Sequence, residues 1–338
     1  MTNKIRIGII GCSTIARNST IPAILESNNV ELEHIGSRSN NKSLEFSKIF
    51  NCKKCGTYDD VINDKDVDAV YISTPVGNHE EWVLKSAKAG KHVLCEKSST
   101  TSFYSAKKMV NEIKENNVRL MEGFMYRFHP SHQKVKKKIN DKIIGKIFLF
   151  SSKYGFPPIS KDNIRYDKSL GGGILNDAGC YPINASRMLF DSEPRGVFCN
   201  LTIDKETQVD TKATLLMDFN DNIKSQFSVG YDLDYQSNYG LWGSDGSLSL
   251  TRSYNIPPDM PARLNIKNSN IDEEILIEPV NHFQLMVESF CNEIMKPNSC
   301  IYNFEEDLLN QAKIMEACRI SDKEKRYVET REIEKYEN

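Results

Sequence analysis

The first half of the chain alternates short apolar runs with segments of helical periodicity, and this alternation limits the possible folds more than any other feature. The apolar runs are Ile5–Ile10, Val30–Gly36, Val67–Ser73, Lys91–Cys95 and Val118–Met121. Strands that are apolar throughout are buried on both faces, and strands that alternate with helices are typical of a parallel sheet. We therefore predict an α/β domain with a doubly wound parallel sheet over residues 1–124.

The second half is richer in strands that follow one another directly. A strand predicted over Lys146–Tyr154 is followed by successive strand patterns from Val197 to Ile277, with turn residues between them. This pattern predicts a C-terminal α+β domain over residues 125–338, built on a large, mostly antiparallel open sheet. Two closing helices, around His282–Met295 and Glu305–Ser321, are expected either in this domain or packed back on the first.

A glycine turn follows the first strand. Gly11, Ser13 and Ala16 occupy the positions that a dinucleotide-binding fingerprint gives to Gly, Gly and Gly or Ala. The helix that starts there offers backbone amides and the positive end of its dipole to phosphate oxygens. We therefore predict a Rossmann fold that binds a dinucleotide. The residues expected to hold it at this turn are Gly11, Cys12, Ser13, Thr14 and Ile15.

The end of the second strand indicates which dinucleotide binds. About 20 residues after the fingerprint, NAD enzymes carry an acidic residue that hydrogen-bonds the ribose. This chain has Ser37 and Arg38 there, and no carboxylate. A hydroxyl and a guanidinium suit a 2′-phosphate, which Arg38 would contact through charge-assisted hydrogen bonds. We predict NADP(H) as the cofactor, in preference to NAD(H).

Two later strand ends in the first domain also carry polar residues. In doubly wound sheets, ligands bind outside the carboxyl ends of the strands. Lys97 follows the strand that ends at Cys95, so we expect it to point into the cofactor crevice. The other residues expected to contact the cofactor at these ends are Ser73, Thr74, Pro75, Asn78, His79 and Glu96.

A run of three glycines, Gly171–Gly173, precedes a helical pattern in the second domain. Glycine lets a backbone turn tightly and approach a ligand closely, so the run is expected to give clearance for a substrate. Asp177 and Tyr181 are four residues apart and therefore share one helix face. A carboxylate and a phenol on one face suggest a proton-handling site. The alternative is a helix start with an acidic first turn and a packed tyrosine.

Five motifs that follow one another along the chain carry a family resemblance. They are Gly11-x-Ser13, Thr74-Pro75-x-x-x-His79, Ala89-Gly90-Lys91-His92 with Glu96-Lys97, Phe124-Met125-Tyr126-Arg127, and Gly171-Gly172-Gly173-x-Leu175-x-Asp177-x-Gly179-x-Tyr181. In this combination the chain resembles the glucose–fructose oxidoreductase / inositol dehydrogenase / rhizopine-catabolism (Gfo/Idh/MocA) family over almost its whole length. It is most similar to the NADP-dependent nucleotide-sugar 3-ketoreductases of deoxysugar biosynthesis. It departs from the family's Glu-Lys-Pro at Ser98.

The resemblance implies reduction of a keto group, at C3, on a nucleotide-linked sugar with hydride from NADPH. Lys97 would polarise the carbonyl, Tyr181 would donate the proton, and Asp177 would bind a substrate hydroxyl or hold Lys97. Relatives oligomerise through the C-terminal sheet, which implies a homodimer or homotetramer. Arg127 fits a substrate contact and a structural ion pair equally well. The residues expected to line the substrate are Tyr126, Arg127, Tyr154, Arg165, Asn176 and Tyr181.

Two other functions stay open on the sequence. Relatives with the same fold act oxidatively on a free aldose, a polyol or a trans-dihydrodiol, and the motifs barely separate these reactions. A protein that senses NADP without catalysis would also keep the fold. The presence of Lys97, Asp177 and Tyr181 together argues against such a regulator.

Composition and charge narrow the list of partners. The formal net charge is −2, and no apolar run approaches the roughly 20 residues of a membrane span, so neither nucleic acid nor a membrane is expected as a partner. The N-terminus enters a strand pattern directly, and we expect a cytoplasmic protein. Of the nine cysteines, Cys52 and Cys55 form a C-x-x-C with no second pair at zinc spacing, so no metal site is predicted.

Overall fold

A computed structural model describes residues 4–296 and 302–335. Within these residues the chain forms two compact units. The first unit comprises the described part of Met1–Met125 and of Phe283–Leu309, and the second comprises Tyr126–His282 and the described part of Asn310–Asn338. The prediction divides the chain once, between residues 124 and 125. In the structure, the first unit also includes a later segment, the described part of Phe283–Leu309.

The first unit is built on a six-stranded parallel sheet. Its strands are β1 (Ile5–Ile10), β2 (Val30–Gly36), β3 (Lys54–Gly56), β4 (Ala69–Ile72), β5 (His92–Glu96) and β6 (Leu120–Gly123). Their order is β3-β2-β1-β4-β5-β6, and every neighbouring pair is parallel. This confirms the predicted doubly wound sheet. The three-residue β3 is not predicted from the sequence, because so short a strand has no apolar run.

Helices alternate with these strands. They are α1 (Ile21–Glu26), α2 (Asn40–Phe50), α3 (Tyr58–Asn63), α4 (His79–Lys88) and α5 (Phe103–Glu115). The strands β1 and β4 lie side by side in the sheet, and the strand order reverses there. In this architecture, ligands bind outside the carboxyl ends of the strands at such a reversal.

The second unit contains a nine-stranded sheet. Its strands are β7 (Ile147–Gly155), β8 (Gly196–Ile203), β9 (Asp210–Asp218), β10 (Lys224–Gly230), β11 (Gln236–Gly243), β12 (Gly246–Thr251), β13 (Ala262–Asn268), β14 (Asp272–Ile277) and β15 (Val328–Glu329). Their order is β14-β13-β12-β11-β7-β10-β9-β8-β15, with β7 and β10 parallel and the other neighbours antiparallel. The large, mostly antiparallel sheet is therefore confirmed.

The remaining helices are α6 (Pro130–Asn140), α7 (Cys180–Phe190), α8 (His282–Met295) and α9 (Phe304–Glu324). In the first unit, the Glu305 carboxylate accepts hydrogen bonds from Nε of Arg119 and from the backbone N–H of Leu120, both at 2.9 Å. These bonds hold the start of α9 to the edge strand β6. The Glu305 carboxylate therefore attaches this later segment to the edge of the sheet in the first unit.

No helix within residues 4–296 and 302–335 is long and apolar enough to cross a membrane. In the same ranges, no group of three or more His, Cys, Asp or Glu side chains is arranged to hold a metal ion. The C-x-x-C cysteines are free thiols, and Sγ of Cys52 contacts the backbone oxygens of Glu33 and Lys54.

Candidate active site

The turn after β1 brings the first strand close to β4. Gly11 has a φ of +115°, which side chains disfavour, and a Cβ there would lie 3.0 Å from the Ser73 backbone. The Ser73 hydroxyl donates a 2.7 Å hydrogen bond to the Gly11 carbonyl. The glycine is needed because two strand ends meet at this point.

Ser13 caps the helix that follows. Its hydroxyl oxygen accepts a 3.1 Å hydrogen bond from the N–H of Ala16, and its carbonyl accepts one from the N–H of Arg17. The N–H groups of Thr14 and Ile15, in the first turn, have no partner within a helix and are therefore suited to an anion. A π-helical segment, Ala16–Thr20, then leads into α1.

The end of β2 carries the predicted phosphate-binding pair. Ser37 is buried and Arg38 is exposed. The Ser37 hydroxyl accepts from the N–H of Ser39, and the Ser37 N–H donates to the carbonyl of Gly56 at 3.0 Å. Burial raises the pKa of Tyr58, while the neighbouring Arg38 guanidinium works against that rise. Tyr58 therefore lies beside Arg38, a contact that the sequence pattern does not indicate.

The loop after β4 includes a buried oxygen with no partner. Oγ1 of Thr74 has no hydrogen bond among the described residues. His79 contacts the carbonyl of Thr74 through Nε2 at 2.8 Å and that of Ser98 through Nδ1 at 3.0 Å. Burial lowers the pKa of His79 to about 4, so the ring is neutral at pH 7 and donates to one of these two carbonyls at a time. His79 therefore bridges the loops after β4 and β5, and Pro75 and Asn78 lie in the turn beside it.

Glu96 and Lys97 lie at the end of β5. The buried Glu96 carboxylate accepts a 2.7 Å hydrogen bond from the Tyr71 hydroxyl, which receives one from Thr20 at 3.0 Å. Burial raises the pKa of Glu96. The predicted cofactor contact by Glu96 stays a prediction, and the contacts seen here anchor the strand end. Lys97 follows directly and is partly exposed, and its peptide bond to Ser98 is cis.

All the predicted cofactor residues therefore gather at the carboxyl edge of the first sheet. The unpartnered Oγ1 of Thr74 and the open amides after Ser13 fit a ligand with phosphate and hydroxyl or amide groups. The exposed Arg38 adds a cation at the end of β2. These residues fit a dinucleotide.

In the second unit, the structure corrects the expectation for the glycine run. Gly173 has a φ of +120°, and a Cβ there would overlap the carboxylate of Asp210. Oδ2 of Asp210 accepts a 2.6 Å hydrogen bond from the N–H of Leu175 at the start of the helix. The clearance at Gly173 therefore serves an internal carboxylate on β9, and not a substrate. The helix also begins with a π-helical segment, Leu175–Gly179, where the sequence predicts an ordinary helix.

Asp177 lies in that π-helical segment and is paired with Arg165. Nε of Arg165 donates to Oδ2 of Asp177 at 2.6 Å. The charge of Asp177 raises the pKa of Arg165. The structure thus pairs Asp177, a predicted catalytic residue, with Arg165, a predicted substrate contact. The Arg165 side chain stays 42% exposed, and its Nη1 lies 3.4 Å from Oδ1 of Asn163.

Tyr181 lies at the start of α7 within a group of aromatic rings. Its ring centroid is 5.4 Å from that of Tyr154, 5.4 Å from Tyr254 and 5.7 Å from Tyr126. Only 4% of Tyr181 is exposed. Edge-to-face and tilted ring contacts at these distances fix the orientation of the phenol. Tyr254 comes from the loop after β12, and no motif in the sequence indicates it.

Two predicted substrate residues have contacts within the protein, and their role toward a substrate stays a prediction. Tyr126 is fully buried, donates a 2.7 Å hydrogen bond to Asn184 and contacts the ring of Tyr181. The Asn176 amide donates to the Gly171 carbonyl at 3.0 Å and accepts from Arg319 at 2.7 Å. Arg127 is partly exposed in a 3₁₀ turn, Met125–Phe128.

Comparison with known proteins identifies relatives of both units. Residues 5–124 match the family described as "Oxidoreductase family, NAD-binding Rossmann fold", and residues 132–249 match the "GFO/IDH/MocA C-terminal domain". The chain is 30% identical to the dTDP-3,4-didehydro-2,6-dideoxy-alpha-D-glucose 3-reductase of Actinomadura kijaniata, over 94% of this chain and 95% of that protein. It is 29% identical to D-xylose 1-dehydrogenase (NADP(+)) 2 of Haloferax volcanii, over 85% and 88%.

A solved structure is similar over nearly the whole chain. The crystal structure of a 3-ketoreductase from Actinomadura kijaniata, in complex with NADP and TDP-benzene, superimposes with a TM-score of 0.90. It shares 30% identity and covers 94% of this chain and 98% of its own. With both domains matched in order and the fingerprint turn in place, this chain belongs to the Gfo/Idh/MocA family of oxidoreductases, whose N-terminal domain is an NAD-binding Rossmann fold.

Proposed function

We propose that this protein reduces the C3 keto group of a nucleotide-linked sugar with NADPH. The observation that carries the proposal is the end-to-end similarity to a dTDP-sugar 3-reductase, over 94% of this chain and 95% of that protein. The presence of Lys97, Asp177 and Tyr181 supports it. Related crystal structures of the Actinomadura kijaniata enzyme include variants of one lysine and one tyrosine, the residue types to which we assign the chemistry.

The cofactor in this proposal is NADP(H), held by the carboxyl edge of the first sheet. The first-turn amides of Thr14 and Ile15 bind the pyrophosphate, because the Ser13 cap leaves them open. Arg38 pairs with the 2′-phosphate, and Tyr58 fixes its guanidinium from the side. When bound, the cofactor supplies the hydride.

The protein supplies charge and a proton to the carbonyl. The ammonium of Lys97 stabilises the negative charge that develops on the oxygen. Tyr181 donates the proton, with its phenol oriented by the rings of Tyr154 and Tyr254. Asp177 accepts a hydrogen bond from a substrate hydroxyl. The neutral His79 holds the loop that carries Lys97 through the Ser98 carbonyl.

A second candidate function is NADP-dependent oxidation of a free aldose. The similarity to the D-xylose dehydrogenase of Haloferax volcanii, at 29% identity over 85% of this chain, favours it. The same residues then work in reverse, with the tyrosinate form of Tyr181 accepting the hydroxyl proton.

A substrate panel tests the proposal. We expect NADPH consumption with a dTDP-, UDP- or GDP-linked 3-keto sugar, and none with D-xylose and NADP. The Tyr181→Phe variant should lose at least about a hundredfold in kcat while its Kd for NADPH stays within twofold. Oxidation of aldoses in place of keto-sugar reduction would favour the second candidate. Binding of NADPH without turnover of any sugar would favour a sensor.

We also propose that two or four copies associate through the outward face of the nine-stranded sheet. Large apolar side chains on this face are exposed, and Phe198 and Leu216 are direct neighbours across β8 and β9. Trp242 on β11 is 59% exposed. A depression of about 330 Å³ on strands β7, β9, β10 and β11 is lined by Ser151, Ser152, Lys153, Thr214, Gln226, Phe227, Ser228 and Asn238. Sedimentation of the wild type and of Trp242→Lys tests this, and a monomeric wild type would contradict it.

A further inference from the structure

Tyr231 lies directly after β10 and points toward Asp177. Its backbone N–H donates to the carbonyl of Thr211 at 2.9 Å, so the inward alternation of β10 continues past the end of the strand. The side chain is fully buried. Its ring contacts that of Tyr166 at 5.4 Å and that of Phe156 at 6.5 Å. These ring contacts hold the side chain in the interior of the unit, and its hydroxyl lies beside the carboxylate of Asp177.

The Tyr231 hydroxyl and the Arg165 guanidinium donate to the same oxygen. The hydroxyl lies 3.4 Å from Oδ2 of Asp177, and Nε of Arg165 lies 2.6 Å from it. The first is a long, partly buried hydrogen bond, and its acceptor is the carboxylate oxygen that also accepts from Arg165. Burial, and then the Asp177 charge, hold the pKa of Tyr231 well above its usual value, so the phenol keeps its proton.

The two donors come from different parts of the unit. Arg165 belongs to a 3₁₀ turn, Ile164–Tyr166, between β7 and the π-helical segment, whereas Tyr231 directly follows β10. A carboxylate held from two sides cannot rotate about its side-chain bonds without losing one of the donors. Asp177 lies one turn before Tyr181, so the orientation of this carboxylate is set next to the proposed proton donor.

We propose that Tyr231 is a positioning residue of the active site, which orients the Asp177 carboxylate together with Arg165. The inference rests on the proposed function for the role of Asp177. It does not need Tyr231 to touch the substrate or the cofactor. The effect of Tyr231 on turnover must then pass through Asp177.

Kinetics of Tyr231→Phe test the inference. The variant keeps the ring and removes one hydroxyl. We expect kcat for the keto sugar to fall about tenfold, the worth of one hydrogen bond to a charged group, with the KM for NADPH unchanged. In the Asp177→Asn background the same change should alter kcat less than twofold, because the two residues act as one unit. Wild-type kcat in Tyr231→Phe, or a full tenfold loss in the Asp177→Asn background, would overturn the inference.

A matched control and a second readout keep the test independent of stability and of the substrate. Tyr166→Phe removes a hydroxyl from the adjoining ring, one that faces Asp232, and should leave kcat unchanged. The second readout is ¹⁹F NMR of the chain labelled with 3-fluorotyrosine at position 231. Its resonance should shift when Asp177→Asn is introduced, whereas the resonance of the same label at Tyr58 should not shift. If no sugar is reduced by the wild type, the proposed function fails, and an unmoved resonance at position 231 is then the result that overturns the inference.

Discussion

The helix proposed to bind the cofactor pyrophosphate and the helix that carries Asp177 and Tyr181 begin in the same way and use their first turns differently. Each follows a glycine with positive φ, Gly11 at +115° and Gly173 at +120°, and each contains a π-helical segment. In the first unit, Ser13 caps one N–H and the first-turn amides are left for an external anion. In the second, the carboxylate of Asp210 already occupies the corresponding place.

The difference shows that a glycine turn before a helix does not by itself indicate a ligand site. A helix N-terminus attracts an anion whether the anion comes from a cofactor or from the protein. What distinguishes the two cases is the strand beside the turn. At Gly11 the neighbour is Ser73, a small side chain that bonds back to the turn, whereas at Gly173 it is an acidic side chain from β9.

The largest expected effect is that of Gly173→Ala on folding. Alanine would adopt an unfavourable φ there, and its Cβ would overlap the Asp210 carboxylate. We expect a loss of about 3 kcal/mol or more in the free energy of unfolding, measured by urea denaturation. Gly90→Ala is the matched control, because Gly90 also has positive φ but no atom lies within 4 Å of its added Cβ. That variant should lose only about 1 kcal/mol. Equal losses of stability in the two variants would mean that overlap with the Asp210 carboxylate is not what makes Gly173 necessary.

An intermediate effect is expected at the first helix start, where the anion is external. Arg38→Ala should raise the Kd for NADPH about ten- to hundredfold by removing charge-assisted hydrogen bonds to the 2′-phosphate. The Kd for NADH should change less than twofold, because NADH lacks that phosphate. Fluorescence titration with both dinucleotides measures this. A parallel loss for the two would mean that Arg38 does not recognise the phosphate.

The smallest effect is expected for Asp210→Asn. Burial raises the pKa of Asp210, so folding disfavours its charge relative to the unfolded chain, and Asn removes that charge while keeping an acceptor for Leu175. At pH 7 the variant should be as stable as the wild type or slightly more so, within about 1 kcal/mol. Since protonation of Asp210 favours the folded state, any advantage of the variant should shrink as the pH falls. Urea unfolding at several pH values measures it, and a clear destabilisation at pH 7 would mean that the charge itself is required.

Much of the first unit follows from local sequence. Apolar strands in alternation with helices specify the parallel sheet, and the residues after β1, β2, β4 and β5 fall at its carboxyl edge because parallel strands end on the same side. The exceptions are contacts made by side chains from inside other elements, such as Tyr71 with Glu96 and Tyr58 with Arg38. Nothing in the local pattern of these tyrosines separates them from ordinary core residues.

The sequence by itself determined the fold class, the cofactor edge and the identities of Lys97, Asp177 and Tyr181 as candidates, because strand period, glycine placement and motif order are local properties. Only the tertiary structure decided what holds Asp177 and Tyr181. Arg165, Tyr231 and Tyr254 reach them from a loop, a strand end and another loop, and such pairings depend on how distant segments pack. It also decided that Gly173 makes room for Asp210, since a glycine shows that space is needed and only the folded chain shows what fills it.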